Sequence, residues 1–563
     1  MTDLLSSKHI NGPARRVGPF RWPDALTLAG LAVALLVLSP LAGLAWLALQ
    51  PAGEVWPHLV AYVLPTAATD TAMLLGGVTI VALLLGVGSA FIVSTYRFPG
   101  RDMLVWLLAL PLAVPTYIAA YVYVEVFEPL GVIHRALGGV MSLSSALTLL
   151  PQPRSTLGAI VIMGIVLYPY VYLSMRAALL GSGADALEAA RLLGAGPAST
   201  FFRVTLPMAR PALAVGSALV MLETMNDIGA SEYLGVRTLT VAIFTTWLNR
   251  GSLPAAAQLS CLMLVAVIAM VALERYGRRG RSYSPAADST RQAVLTNLNG
   301  WRAVLAFALC TIPFAAGFIV PLTFLMRESF IRGLAGASMR SLIDAAVNSV
   351  QLAAAATMLT LALGFIAVMA GRWRASPTTR ASIGMSQTGY VLPGLVLALG
   401  LLSPLIALDS VIGFVAGTVG AGPVGLLLTG SGAAVVIAYT IRFLTIASGM
   451  IEAGFERVPT DFDDSARISG AGAWTTSTRI YLPMLQPALA GAAILVFVDC
   501  LKELPATLLL RPLNVETLST SIYQYASRGS FEEGASAALL IVLASIVPVI
   551  WLSRSADLPR EGS

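Results

Sequence analysis

Residues 185–213 read "DALEAARLLGAGPASTFFRVTLPMARPAL", and residues 461–489 read "DFDDSARISGAGAWTTSTRIYLPMLQPAL". Aligned without a gap, 14 of the 29 positions are identical, among them Arg191/Arg467, Gly194/Gly470, Gly196/Gly472, Leu206/Leu482, Pro207/Pro483 and Pro211/Pro487. The 276-residue register persists downstream, where Glu223 meets Asp499, Asp227 meets Glu503, Ala230 meets Ala506 and Ser231 meets Thr507. Low complexity does not generate such a match. The chain is a duplicated unit, and the duplication constrains the architecture before any local motif does.

Composition says what kind of unit is duplicated. The 563 residues are 57% hydrophobic and only 11% charged, with a mean hydropathy of +0.80, far from the soluble range. A membrane span needs about 20 apolar residues, and runs such as "ALTLAGLAVALLVLSPLAGLAWLAL" from Ala25 supply them. The pattern predicts twelve spans, six near 25–49, 71–94, 103–125, 156–174, 211–233 and 257–273. The other six lie near 303–325, 347–370, 388–408, 432–450, 487–507 and 536–553. The glycine-rich stretch 411–428 is left out, because its glycines and Pro423 weaken it and a thirteenth span would invert everything downstream.

Six spans per half is an even number, so both copies enter and leave on one side. The expected fold is an all-α membrane protein of about 12 helices in two parallel six-helix repeats. They are related by a pseudo-two-fold axis along the membrane normal, with any transport path between them. The expected organisation is an N-terminal segment 1–24, a first repeat 25–273, a linker 274–302, a second repeat 303–553 and a tail 554–563. The linker, by its Ser, Pro and charge content, reads as a cytoplasmic connector and not a domain.

Orientation follows from arginine, which is in excess in cytoplasmic loops. With the N-terminus inside, most basic residues fall on the cytoplasmic side, including Arg15, Arg16, Arg21, Arg97, Arg101, the cluster Arg275, Arg278, Arg279, Arg281 and the pair Arg372, Arg374. Both termini are then cytoplasmic. The net charge of +6 reflects topology and contact with acidic lipid heads of the bilayer, and no nucleic-acid partner is expected. The first apolar run is too long for the core of a cleaved signal peptide and reads as a retained span. Cys261, Cys310 and Cys500 all fall in spans, so buried thiols are expected and no disulfide framework. His9, His58 and His134 share no metal-ligand spacing.

The duplicated stretch itself reads as a helical elbow. Asp185 and Glu188 are expected early in a short helix, where carboxylates suit the positive end of the dipole. Ala189 and Ala190 leave one face low for close packing. Gly194 and Gly196 supply a turn, Pro197 suits the first turn of a second short helix, and Pro207 and Pro211 separate that helix from the fifth span. A single copy would be an ordinary surface helix. Two copies at the same place in both repeats argue for a shared task.

The pattern resembles the EAA signature of ATP-binding-cassette (ABC) importer permeases: Glu-Ala-Ala, three residues, Gly, nine residues, a β-branched apolar residue, one residue, then Leu-Pro. Glu188, Ala189, Ala190, Gly194, Val204, Leu206 and Pro207 fit at every spacing. In the second copy Asp464 and Ser465 depart from the family's Glu and Ala, while Ala466, Gly470, Ile480, Leu482 and Pro483 fit. The resemblance implies the fold of the MetI-like ABC permease type, with coupling helices near 185–207 and 461–483. It also implies a homodimeric ABC ATPase subunit docking there from the cytoplasmic side, a periplasmic substrate-binding protein on the other face, and a place in the bacterial inner membrane. This chain would then bind no cofactor, with ATP and Mg on the partner. The sequence agrees: its two lysines, Lys8 and Lys502, lie in no G-x-x-x-x-G-K-[ST] phosphate loop. It is not expected to be an enzyme.

Polar residues inside a span are costly and are functional candidates. "LETMNDIGASEYL" carries Glu223, Asn226, Asp227 and Glu232 in the fifth span, and "VDCLKELPATLLLRP" carries Asp499, Lys502, Glu503 and Arg511 in the eleventh. Spaced four apart, Glu223 and Asp227 are expected on one helix face, as are Asp499 and Glu503. The candidates for a translocation path are Glu223, Asn226, Asp227, Asp499, Lys502 and Glu503. The four carboxylates could line a path for a hard cation, with the metal-ligand set unknown. Alternatively Lys502 neutralises Asp499 or Glu503 while the other carboxylates cap broken helices or face a wet vestibule. Pro505 marks a kink or break in the eleventh span.

Those two segments, with "STYRFPGRDMLVWLLALPLAVPTYIAAYVYV" from Ser94, are similar to the fused permeases of the ferric-iron importer family over essentially the whole chain. That resemblance implies Fe(III) as cargo. Related fused permeases for thiamine, polyamines or phosphonates are the alternative. A secondary transporter using the buried carboxylates as a proton relay is the rival from another class, and it leaves the duplicated elbow without a task.

Overall fold

The computed structural model describes residues 25–128, 152–278, 295–332, 337–373, 384–385, 388–420, 425–456, 458–459 and 461–555. The expected N-terminal segment 1–24, most of the linker (279–294) and most of the tail (556–563) lie outside the described residues. So do the side chains of residues 181–189 and 191, which include Glu188 and Ala189.

Among the described residues nine helices are long and apolar enough to cross a membrane, and the number rises to 12 when each of three bent pairs counts as one span. In chain order the first two are Ala25–Ala48 and Val55–Thr95. The third is the pair Arg101–Ala113 and Thr116–Phe127, bent by 90°. Thr156–Leu192 is the fourth, Arg210–Asn226 the fifth and Leu253–Arg278 the sixth. The second repeat follows with Trp301–Arg332, Ala337–Trp373, Gly394–Thr418, Ala433–Phe455, Gln486–Lys502 and Ala535–Ser555. The ninth helix runs on to Thr418, so the first part of the 411–428 stretch is the end of that helix.

The repeats are interlocked. The first span packs on the ninth, and the seventh packs on the two halves of the third, so each repeat lends its opening helix to the other. Within each repeat the second and fourth spans form the largest helix pair, Leu64–Thr95 with Thr156–Leu192 and Ala337–Trp373 with Ala433–Phe455. A two-residue parallel pairing of Tyr96–Arg97 with Thr296–Asn297 ties the end of the linker to the end of the second span.

The elbows confirm part of the local reading and correct part of it. Gly194 and Gly470 both adopt the left-handed backbone, at φ +77° and +72°, closing one helix before the next opens at Pro197 or Ala473. The first elbow has no separate opening helix, however. The fourth span runs unbroken from Thr156 to Leu192, so Asp185 and Glu188 lie deep in a long helix and not near an N-terminus. In the second repeat Pro459 stands where the first has Gly183. A proline lacks the N–H and its ring clashes with the carbonyl four residues back, here that of Phe455, where the tenth span stops; Asp461–Ile468 then forms alone with Asp461, Asp463 and Asp464 in its first turn.

Proline also explains four widened turns. π-helical segments occur at Leu59–Val63, Phe201–Thr205, Ala315–Ile319 and Ser477–Tyr481, and each ends two residues before a proline: Pro65, Pro207, Pro321 and Pro483. The missing N–H and the ring's clash with the carbonyl four residues back are relieved by opening the turn to a π-bulge. Pro207 and Pro483 thus do not end their helices. They sit inside the short turns Leu206–Met208 and Leu482–Met484, which then bend by 65° and 76° into the fifth and eleventh spans.

Two short helices went unread in the sequence. Leu239–Leu248 and Leu518–Ser527 follow the fifth and eleventh spans and are N-capped by Thr238 and Thr517. Hydroxyls on the second and eighth spans accept their leading N–H groups, Leu239 N to Thr71 Oγ1 at 2.9 Å and Leu518 N to Ser349 Oγ at 2.7 Å.

Candidate functional site

The fifth span was expected to be continuous over 211–233, and the eleventh, over 487–507, to be kinked or broken at Pro505. Both break at the same repeat position. Arg210–Asn226 ends with Asp227 extended at ψ 118°, and Gln486–Lys502 ends with Glu503 extended at ψ 121°. Short helices Gly229–Tyr233 and Pro505–Leu510 follow. Asp227 and Glu503 are therefore off the helix faces of Glu223 and Asp499. The cause is capping: a new helix start exposes N–H groups that need acceptors. Asp227 Oδ1 accepts from Ala230 N at 2.7 Å. Glu503 Oε1 accepts from Ala506 N at 3.1 Å, and its Oε2 from Thr507 N at 3.2 Å. Pro505, at the opening of its helix, has no N–H to satisfy.

The two breaks are finished differently. The Thr116 hydroxyl donates to Asp227 Oδ2 in the first repeat. Thr116 opens its helix directly after Pro115, and the residue opening the matching helix after Pro393 is Gly394. A side chain there would collide with Arg442 Nη1 and lie 2.6 Å from Glu503 Oε1. The empty place is filled by Arg442, whose Nη1 lies 3.5 Å from Glu503 Oε1 and donates to Asn226 Oδ1 at 3.1 Å. Gly394 N also donates to Asn226 Oδ1, at 2.7 Å. Asn226 of the first repeat is thus held by two groups of the second.

These residues surround one cavity of about 120 Å³ between the repeats. All six path candidates line it: Glu223, Asn226, Asp227, Asp499, Lys502 and Glu503. Glu223 Oε1 accepts from the Tyr390 hydroxyl at 2.8 Å, and Lys502 Nζ lies 2.7 Å from Asp499 Oδ1. Of the two sequence readings, neutralisation and capping describe Asp499, Asp227 and Glu503 directly. Among the described residues no group of three or more His, Cys, Asp or Glu is placed to hold a metal ion. Four carboxylates against Arg442 and Lys502 leave the lining at 2 − 4 = −2 in formal charge. Glu232 lies outside it, accepting from the Tyr523 hydroxyl of the other repeat at 2.7 Å, and Arg511 pairs with Glu516 at 2.7 Å.

Sequence reasoning missed Arg442, Tyr390 and Thr116. Arg442 carried a usable signal, as a lone arginine inside "AAVVIAYTIRFLTIASG", to which the rule for charges within spans applies. Thr116 and Tyr390 carried none, because a hydroxyl in an apolar run is common.

The elbow residues are placed as follows. Ala190 and Ala466 are buried, whereas Gly194, Asp464, Ser465, Gly470, Leu482 and Pro483 are exposed and Leu206 and Pro207 half-buried. Six spans separate the two elbows, so they project from the same end of the bundle. A family model for the binding-protein-dependent transport system inner membrane component matches residues 82–282 and 362–558, once per repeat. The chain belongs to this family.

It is thus a multi-pass permease of the inner membrane, a transport component with two family units fused in one chain. A fused relative is the Fe(3+)-transport system permease protein FbpB 2 of Haemophilus influenzae, 26% identical over 87% of this chain and 89% of its own length. Single-unit relatives align to less than half of the chain. The molybdenum transport system permease protein ModB of Mycobacterium bovis is 32% identical over 39% of this chain and 82% of its own. The sulfate transport system permease protein CysT of Salmonella typhimurium is 28% identical over 44% and 91%.

Proposed function

We propose that this permease passes iron(III) across the inner membrane, taking it from a periplasmic binding protein and drawing work from a separate homodimeric ABC ATPase. The ATPase docks at the elbows near 185–207 and 461–483, with ATP and Mg on its side of the contact. Both elbows then face the cytoplasm, as do the chain's termini. The glycine turns at Gly194 and Gly470, repeated in the same place, support this reading: each turns the chain into a short helix that leads to a span ending at the cavity. Arg210–Asn226, 17 residues long, spans about 25 Å at 1.5 Å per residue, so a push at the elbow reaches the cavity wall along one helix.

The observation that carries the cargo assignment is the cavity's charge. A lining with two carboxylates in excess of its cations attracts a hard cation and opposes a sulfate-like dianion. The carboxylates supply a field and no fixed coordination cage, which suits a path that cargo must leave as readily as it enters. The similarity to FbpB 2 over 87% of the chain points the same way. The relatives whose names specify molybdenum and sulfate support the transport class without the cation.

Isolating the chain with its native partners tests this. The soluble receptor that co-purifies is expected to carry iron(III), and a receptor carrying an oxyanion, thiamine, a polyamine or a phosphonate would overturn the cargo.

A further inference from the structure

The two elbows are joined to the membrane helices in different ways. In the first repeat the helix Thr156–Leu192 carries span and elbow as one rod. In the second, Pro459 interrupts that rod, and the guanidinium of Arg372 spans the gap. Arg372, at the end of the eighth span, donates from Nε to Asp463 Oδ2 at 3.2 Å and from Nη2 to Asp463 Oδ1 at 3.3 Å. Its Nη1 donates to the Phe455 carbonyl at 3.0 Å and Nη2 to the Val458 carbonyl at 3.1 Å. These last two carbonyls belong to the end of the tenth span and the interrupted segment.

The packing around the guanidinium is equally specific. Its carbon lies 4.8 Å from the Phe455 ring centre and 5.4 Å from that of Tyr481, and those rings meet edge to face at 5.2 Å. The Tyr481 hydroxyl donates to Asp463 Oδ1. Tyr481 is the last residue of the π turn in the elbow's second helix. One side chain therefore touches the eighth span, the tenth span and both helices of the second elbow. Side chains of Arg372 and Asp463 are each only 16% exposed, so water weakens the pair less than at an open surface. A forked, planar, always-charged group is the chemistry that can bond a carboxylate and two carbonyls while stacking on rings. The first repeat has Leu187 and Thr205 at the places of Asp463 and Tyr481, and there the unbroken helix does the joining.

We propose that Arg372 is a positioning residue for transport, a brace that makes the second elbow move as one body with the eighth and tenth spans where Pro459 has cut the helix. This rests on the reading of the elbows as the ATPase contact. Arg372 does not touch cargo or nucleotide. Its work is to keep elbow displacement from being absorbed between the tenth span and the elbow.

The test uses the full chain with its ATPase and receptor in sealed vesicles, reading ATPase retention, ATP hydrolysis and cargo moved per ATP. Arg372→Gln and the near-isosteric Asp463→Asn are each expected to retain the ATPase while cargo per ATP falls about tenfold, the upper range of coupling changes from one contact. Arg372→Lys keeps the charge but loses the fork and the stack, and is expected to recover less than half of the lost ratio. Wild-type ratios in Asp463→Asn and Arg372→Gln, with the ATPase retained, would overturn the brace and leave the elbow reading standing. A wild-type chain that holds no ATPase would remove both. If Arg372→Gln fails to accumulate, Asp463→Asn decides alone, since its exposed helix adds no burden to membrane insertion.

Discussion

Asp227 and Glu503, 276 residues apart, cap the same helix break in the two repeats, yet among the described residues only Glu503 is met by a cation. The Asp227 carboxylate takes the Thr116 hydroxyl, and the Glu503 carboxylate takes Arg442, which enters because Gly394 has no side chain there. The two-fold relation therefore holds for backbone and caps and fails for charge. That failure ties the repeats together, because the same Arg442 reaches Asn226 of the first repeat.

Removing Glu503 should cost more than removing Asp227. Glu503→Ala leaves Arg442 buried without its carboxylate and strands the N–H groups of Ala506 and Thr507, a loss of about 3–5 kcal/mol for a broken buried pair. Asp227→Ala strands one N–H and one hydroxyl, about 1–3 kcal/mol. Thermal unfolding of the purified variants in detergent should rank wild type above Asp227→Ala above Glu503→Ala. Equal midpoints for the two variants would contradict the roles given to Arg442 and Thr116.

Much of this was legible beforehand, and the gaps have physical causes. Spans, repeat and elbow turns follow from hydropathy, self-similarity and glycine, which act locally. The breaks at Asp227 and Glu503 were hidden because spacing of four suits a helix face equally well. Only the three-dimensional demand for caps distinguishes the two, although Pro505 marked one break. The helices Leu239–Leu248 and Leu518–Ser527 are too short to register as spans, and their start signals, Thr238 and Thr517, look like ordinary loop threonines. Pro459 against Gly183 was visible in the alignment, but its consequence for the elbow needed the neighbouring spans.

Gly394→Ala should disturb the junction from the opposite direction. Its added carbon would force Arg442 from its place and crowd Glu503, so about 1–3 kcal/mol of stability is at stake, with transport falling in parallel. Unfolding and uptake measured on the same preparation check this. Unchanged values for both would show that Arg442 has room to relocate.

Glu223 and Asp499 line the cavity without capping a break, so changing them alters its field, and frees Lys502 from Asp499, while both caps stay in place. Glu223→Gln with Asp499→Asn reduces the lining from −2 to 0 while leaving Asp227 and Glu503 in place. Iron uptake is expected to fall about tenfold or more with assembly unchanged. Normal uptake in that double variant would remove the cavity's charge from the account.

Gly183→Pro should cut the first elbow from the fourth span. A proline inside a helix costs about 3 kcal/mol, and the first repeat has Leu187 where Asp463 receives Arg372. Hydrolysis is expected to continue while transport per ATP drops. Full coupling in this variant would show that helix continuity does not carry the stroke.

Gly194 and Gly470 hold backbone angles that cost an L-residue about 1–2 kcal/mol, and neither has neighbours that a side chain would strike. Gly194→Val and Gly470→Val should therefore insert normally and lose ATPase stimulation, measured as receptor-dependent hydrolysis. Wild-type stimulation in both would place the ATPase contact elsewhere.

The most direct measurement is iron(III) uptake into sealed vesicles holding the purified chain, with receptor, ATPase and ATP added or withheld one at a time, each with and without an ionophore. Uptake is predicted only when all three are present, at a rate indifferent to the collapsed proton gradient. Uptake without the ATPase, or uptake that stops with the gradient while ATP remains, would contradict the account.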